Sequence, residues 1–229
     1  MTVHALVLAG GTGTRFGAAT PKQLLDLDGR SVLAHAVSRL AGHPDVDWIV
    51  LVTHAESARE AHRVAVAEPK VVTVVSGGAT RADSTRLGLA AIPELADDDL
   101  VLVHDAARPL VTGEIVDACL AALADHDAVT PAVESVDTLV EVDSAGLVVR
   151  NVDRSVVRRV QTPQGFRAGV LRRAHAAAAL EPGEPTDDCG VVLAHVPGAR
   201  VTVVPGDERN LKITRPADLD LARRWLHEG

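Results

Sequence analysis

Short apolar runs alternate with amphipathic stretches along this chain. Val3–Ala9 has the length of a buried strand and ends at Gly10-Gly11. Ser31 stands as an N-cap before Val32, Leu33, Ala36, Val37 and Leu40, which fall at helical spacing. The pattern predicts strands at Trp48–Val52, Val71–Val75, Leu100–Val103, Ala128–Val133 and Val201–Val204. Between them it predicts helices at Ser57–Ala67, Asp83–Ala91, Glu114–Leu123, Gly169–Leu180 and Pro216–Leu226, the last with proline at its start. Strand alternating with helix predicts an α/β fold with a mostly parallel sheet.

The pattern breaks between about 134 and 159. Ser135–Val142 alternates polar and apolar positions, Asp143-Ser144-Ala145-Gly146 is a turn, and Leu147–Val149 resumes the alternation. This reads as a β-hairpin inserted in the series, as a protruding arm or an added sheet edge. Unpaired edges on an exposed arm predict pairing with a second subunit.

Composition narrows the field. At 229 residues one domain is expected. A 47% hydrophobic and 24% charged composition argues against disorder. Aromatics make up 2% with no Tyr, and the net charge is −8, so neither a base-stacking platform nor a generally basic protein fits, and no nucleic-acid partner is expected. No run approaches the length of a membrane span, and the first apolar run is too short for a signal segment. Cys119 and Cys189 have no metal-ligand spacing and read as two buried thiols. Together these predict a cytoplasmic protein with no membrane partner.

The first strand runs into Leu8-Ala9-Gly10-Gly11-Thr12-Gly13-Thr14-Arg15-Phe16-Gly17, then Pro21-Lys22. Glycines after a strand let backbone N–H groups approach phosphate oxygens. The dinucleotide fingerprint fails because its last position is Phe16, and the P-loop fails because Lys22 follows Pro21. What remains is a glycine loop whose Arg15 and Lys22 suit a triphosphate; the alternative is a plain strand–helix turn with two surface cations. The segment resembles nucleotidyltransferases that activate sugar and polyol phosphates.

Asp105, ending Leu100-Val101-Leu102-Val103-His104-Asp105, sits where α/β sheets bind ligands. A lone carboxylate there suits a Mg²⁺ that keeps several waters. Arg108 suits an anionic substrate, and His104 reads as packing. Gly77-Gly78 and Ser84 have the form of a base-reading turn, an N-capped helix start, or both.

Further blocks are Asn151–Arg154, Arg158–Phe166 with Gln161-Thr162-Pro163-Gln164, Thr186-Asp187-Asp188, and Asn210–Leu219. Taken together with the glycine turn and His104–Pro109, they resemble the 2-C-methyl-D-erythritol 4-phosphate cytidylyltransferase family from Val7 to Leu221. The resemblance implies one three-layer Rossmann-like nucleotidyltransferase domain over 1–229, with the hairpin as a dimerisation arm. It implies that Ala9, Gly10, Gly11 and Gly13 wrap the phosphates of CTP, with Arg15 and Lys22 on the triphosphate and Lys212 near the reacting α-phosphate. Gly78 and Ser84 would hold cytosine and ribose. Asp105 would hold Mg²⁺, and with Ala106, Arg108, Thr138 and Thr186 it would meet the polyol phosphate. Arg154 and Thr162 would bind the acceptor phosphate in the neighbouring subunit's site.

Two positions depart from the family. Leu8-Ala9-Gly10-Gly11 is similar to the ribitol 5-phosphate cytidylyltransferases, which keeps ribitol 5-phosphate as the alternative acceptor. Ala79 stands where an acidic residue is usual. A glycosyltransferase is a rival, but Asp97-Asp98-Asp99 precedes its strand rather than following it. A non-enzymatic nucleotide sensor would leave Arg108, Arg154, Thr162 and Lys212 idle.

Overall fold

A computed structural model of the chain describes residues 1–10, 20–180 and 185–228. The first strand, β1 (Val3–Ala9), lies near the middle of an eight-stranded sheet. It pairs in parallel with β4 (Trp48–Thr53) on one side and β6 (Leu100–Asp105) on the other, and β5 (Val71–Ser76) adds in parallel beyond β4. On the far side, β7 (Ala128–Glu134) takes β12 (Val201–Pro205) in parallel. A minor hairpin, β2 (Asp26–Leu27) with β3 (Arg30–Ser31), lies apart from this sheet.

Alternation along β1 divides the core. Val3, Ala5, Val7 and Ala9 face α1 (Val32–Ala41), α2 (Ala55–Ala67) and α4 (Gly113–Ala122). Leu6 faces the cluster made with α3 (Arg81–Ala90), α5 (Ala168–Leu180) and α6 (Asp188–His195). Period-2 burial on both faces gives the three-layer α/β architecture that the pattern predicts. The closing helix α7 (Pro216–Glu228) packs Ala222 and Trp225 over a smaller cluster around Leu27, Leu110 and Ile213. No described helix is long and apolar enough to cross a membrane.

Most predicted elements stand within a residue or two of their expected ends. Helix α3 begins at Arg81 rather than Asp83, because Thr80 is the cap and Asp83 its reciprocal partner in a capping box. The expected hairpin forms a separate two-stranded sheet, β8 (Leu139–Val142) with β9 (Val148–Val152). Its turn is closed by Asp143, whose Oδ1 accepts from the N–H groups of Ala145 and Leu147 at 2.9 Å, with Gly146 at φ 81°. Ser135–Thr138, expected in the first arm strand, precede it instead.

The pattern does not predict β10 (Arg158–Val160), β11 (Gln164–Arg167) or α6. Strand β11 sits between β6 and β7, antiparallel to both. Val160 faces Ala132 while Gly165 faces Val129, so five steps along this side match three along β7. The two extra residues form a bulge at Gln161–Gln164, which contains the cis Thr162–Pro163 bond.

A side chain at Gly165 has no room, since its Cβ would lie 2.8 Å from Val129 Cγ1 and 3.1 Å from Leu123 Cδ1. Overpacking of this kind costs about 1–3 kcal/mol. Gly165→Val is expected to lower the unfolding free energy by that amount, read as a lower urea midpoint at an unchanged m-value. An unshifted midpoint would show that the sheet gives way there freely.

Candidate active site

Strand register assembles the site. Leu8 pairs with both Val52 and Asp105, Ala9 with Thr53, and Thr53 with Ser76. The strands therefore end level, and Gly10, His54, Gly77 and Ala106 leave the same carboxyl edge. A cleft of about 650 Å³ lies along it. Of the predicted residues it takes in Ala9, Gly10, Lys22, Gly78, Ser84, Asp105, Ala106 and Lys212. Gly11, Gly13 and Arg15 lie outside the described residues.

Gly78 is dictated by its neighbours. Its N–H donates to Ser84 Oγ at 3.1 Å, and an added Cβ would fall 2.3 Å from Asp83 Cβ. Ser84 Oγ in turn donates to the Thr80 carbonyl at 3.0 Å, so this turn is both a helix start and a wall of the cleft. Gln23, beside Lys22, donates to the Ala9 carbonyl at 2.8 Å and to Ser57 Oγ at 2.9 Å, fastening the chain after the glycine turn to the sheet edge.

Asp105 is the acidic centre. Lys212 Nζ donates to its Oδ2 at 2.6 Å, and Arg81 Nε lies 3.6 Å from its Oδ1. Burial pushes this carboxyl up, but Arg81, Lys212 and Arg108 more than reverse that and hold it well below the usual carboxylate range. Arg81 also pairs with the fully buried Asp188, whose Oδ1 meets His175 Nε2 at 3.0 Å. Arg81 and Asp188 meet across 107 positions of chain, which leaves no local signal for the pair.

Behind Asp105 the bulge forms a polar block. Thr162 Oγ accepts from the Asp105 N–H at 3.0 Å and lies 3.2 Å from His104 Nδ1. Asn210 Nδ2 donates to the Thr162 carbonyl at 2.9 Å, and the Ile213 N–H donates to the Ala107 carbonyl at 2.8 Å, which presents Lys212 to the cleft.

Two expectations are corrected here. Thr162 sits against its own chain's Asp105 and not at the arm. Arg108 is buried and donates to the carbonyls of Asn210 at 2.7 Å and Val160 at 3.3 Å, so it braces the loops instead of reaching into the cleft. Thr138, Arg154 and Thr186 are exposed and do not line the cleft within one chain. Arg154 donates to the Val136 carbonyl at 2.8 Å at the arm's base and lines a separate hollow with Arg158. Asp99 accepts from the N–H groups of Thr2 and Ala96, a structural duty that removes the glycosyltransferase reading of the acidic run.

Another group with ligand-like side chains, His43, Asp45 and Asp117, lies at the opposite edge of the sheet. Both His43 nitrogens are engaged there, Nε2 with Asp117 and Nδ1 with the Asp45 N–H.

A nucleotide-sized cleft at the carboxyl edge of a sheet covered on both faces is the ligand site of its fold class, and the class is nucleotidyltransferase. The chain belongs to the 2-C-methyl-D-erythritol 4-phosphate cytidylyltransferase family, whose sequence model matches residues 3–228. The protein of that name from Thermobifida fusca (strain YX) is 47% identical over 235 residues, spanning 99% of this chain and 94% of that one. The solved 4-diphosphocytidyl-2C-methyl-D-erythritol synthase of Anaerococcus prevotii DSM 20548 superposes with TM-score 0.87 at 27% identity, covering 99% of this chain and 98% of that chain. A bifunctional ribulose 5-phosphate reductase/CDP-ribitol pyrophosphorylase of Haemophilus influenzae is 34% identical over 220 residues, 95% of this chain but 46% of that protein.

His104 makes the site sensitive to acid. Burial lowers its pKa from 6.5 to about 4. As the pH falls from about 6.5 to about 4, the unfolded chain takes up a proton that the fold refuses, and stability present above that window is lost by about 1.4 kcal/mol per pH unit. Urea unfolding at pH 7 and pH 5 is expected to show a loss about 2 kcal/mol larger in the wild type than in His104→Asn. Equal losses would mean that His104 takes its proton in the folded state.

Proposed function

We propose that this cleft joins CTP and 2-C-methyl-D-erythritol 4-phosphate to give the CDP-linked polyol and pyrophosphate. This is the family's reaction in isoprenoid biosynthesis. The observation that carries the assignment to the cleft is Lys212 on Asp105, with Lys22 lining the same space.

The chemistry needs little beyond position and charge. The acceptor phosphate is already anionic at pH 7, so no general base is required. Its oxygen attacks the α-phosphorus in line, the bond from that phosphorus to the bridging oxygen breaks, and the electron pair leaves on pyrophosphate. Lys22, Lys212 and Arg15 of the glycine turn offset the charge that builds at the α-phosphate. The backbone of Ala9, Gly10, Gly11 and Gly13 holds the phosphates, Gly78 and Ser84 hold the nucleoside, and Asp105 and Ala106 face the acceptor. Asp105 also suits Mg²⁺, which takes one or two carboxylates and completes its shell from phosphates and water. Among the described residues its Oδ1 has only the loose contact to Arg81 at 3.6 Å. Bound there, Mg²⁺ would supply neutralisation of the phosphate charge. The buried Cys119 and Cys189, with thiol pKa values pushed up by burial, fit a reducing cytoplasm.

The second reading, ribitol 5-phosphate as acceptor, is favoured by Leu8-Ala9-Gly10-Gly11 and by the Haemophilus relative. Pyrophosphate release from CTP with each acceptor in turn decides between them. We expect the higher kcat/KM with methylerythritol phosphate; the reverse order would transfer the assignment to CDP-ribitol synthesis.

The site is also read as shared in a homodimer. Thr138 and Arg154 stand at the base of an arm whose Val140, Val142, Val148 and Val149 are exposed, and a lone two-stranded hairpin is marginal in water. A C₂ pair exchanging arms would bring both residues to the partner's cleft. Homodimers of Lys22→Ala and of Arg154→Ala should each be nearly inactive. Mixing them should restore about a quarter of wild-type activity, because half the dimers become hybrid with one intact site of two. If mass spectrometry shows exchange and no activity returns, Arg154 serves its own chain.

A further inference from the structure

His54 follows β4 directly and lines the cleft. Its imidazole is held in a slot between two glycines. A Cβ on Gly10 would fall 2.8 Å from His54 Nε2 and 2.9 Å from Cδ2, and one on Gly77 would fall 3.2 Å from Cε1. Real Cβ contacts are essentially never that close on the Gly10 side, so the ring can stand there only because position 10 carries no side chain. The ring itself is half-buried, and neither nitrogen has a hydrogen-bond partner among the described residues. An imidazole fixed at a ligand cleft, with neither nitrogen hydrogen-bonded among the described residues, has a donor and an acceptor to offer.

Its place in the sheet says to what. Strand order runs β6, β1, β4, β5, and neighbouring strands lie about 4.8 Å apart, which sets β4 about 10 Å from the strand that carries Asp105. The charged end of the cleft, with Lys212 on Asp105, is at the end of β6; His54 and Ser84 both stand against Gly77, and Gly78 and Ala79 line the cleft with them. A nucleotide whose phosphates lie at the charged end would reach β4 with its ribose and base. Ala79 offers that base no polar side-chain atom.

We propose that His54 is a specificity-determining residue that hydrogen-bonds the edge of the nucleobase. This rests on the reading of the cleft as a CTP site and deepens it. The contact is polar, so it depends on the ring nitrogens and not only on the ring's bulk. Gly10 and Gly77 are then glycine for the sake of this ring as well as for the turns they occupy.

The test compares wild type, His54→Ala and His54→Phe by calorimetric titration with CTP and with ribose 5-triphosphate, which lacks the base. Phe fills the slot without nitrogens, so it carries the test even if the Ala variant loosens the cleft; thermal melting checks both folds. We expect the Kd for CTP to rise about tenfold in both variants, the equivalent of one hydrogen bond, while the Kd for ribose 5-triphosphate stays at the wild-type value. CTP affinity unchanged in His54→Phe would overturn the proposal, as would equal losses for the two ligands. Wild-type protein that binds no CTP would instead sink the reading of the cleft, and this contact with it.

Discussion

Asp105 remains ionised at the sheet edge because Arg81 and Lys212 stand against its two oxygens. Withdrawing a carboxylate from water costs several kcal/mol unless partners replace the solvent. Arg81 faces the same demand and meets it with Asp188, which is fully buried and braced by His175. Charge therefore alternates in a line from the cleft into the layer of α5 and α6. Cutting this line at Asp188 would leave the Arg81 guanidinium without its buried counter-charge, so the reactive end of the cleft is tied to the core beneath it.

The bulge at Gln161–Gln164 supplies the other half of the support. Its two extra residues turn Thr162 toward the Asp105 N–H and Gln161 toward the loop before Lys212, where Gln161 Nε2 donates to the Asp207 carbonyl at 2.7 Å. Gln164 Nε2 reaches Asp187 Oδ2 at 2.9 Å, at the head of α6. One irregular corner thus addresses three loops, and each carries or flanks a group of the cleft. Arg108 completes this block from below, which is why its charge is spent on carbonyl groups.

Periodicity made the alternating strands and helices legible, because each buries a regular stripe against the sheet. Resemblance of the glycine turn, His104–Pro109 and the segment around Lys212 made the cleft's polar groups legible in advance. Strand β11 was not: Gln-Gly-Phe-Arg is short and lacks an apolar alternation, and its Phe166 is buried by neighbours that are remote in sequence. Helix α6 had a readable cap in Asp187, whose side chain accepts from the Gly190 N–H, but only one turn of apolar residues follows in a single run. Arg108 misled because a cation next to a carboxylate looks alike whether it faces a substrate or a backbone carbonyl. Thr162 misled because placing it needs the register slip at the bulge, which no local pattern records. His54 carried no motif; its slot is visible only once Gly10 and Gly77 are brought together by the level strand ends.

The antiparallel insertion of β11 has a consequence for the order in which the chain becomes able to work. As synthesis proceeds, β1, β4 and β5 are all present once Ser76 is made, and with them the edge that carries Gly10, His54 and Gly77. The place between β6 and β7 stays open through the whole of the arm, until Gln164–Arg167 arrives to fill it, and Lys212 comes later still. Long-range pairings of this kind are slow to form. A nascent chain therefore carries its early edge well before its reactive edge: a truncation ahead of Gln164 leaves the place between β6 and β7 open, and one between Arg167 and Lys212 fills it but leaves Asp105 without its lysine.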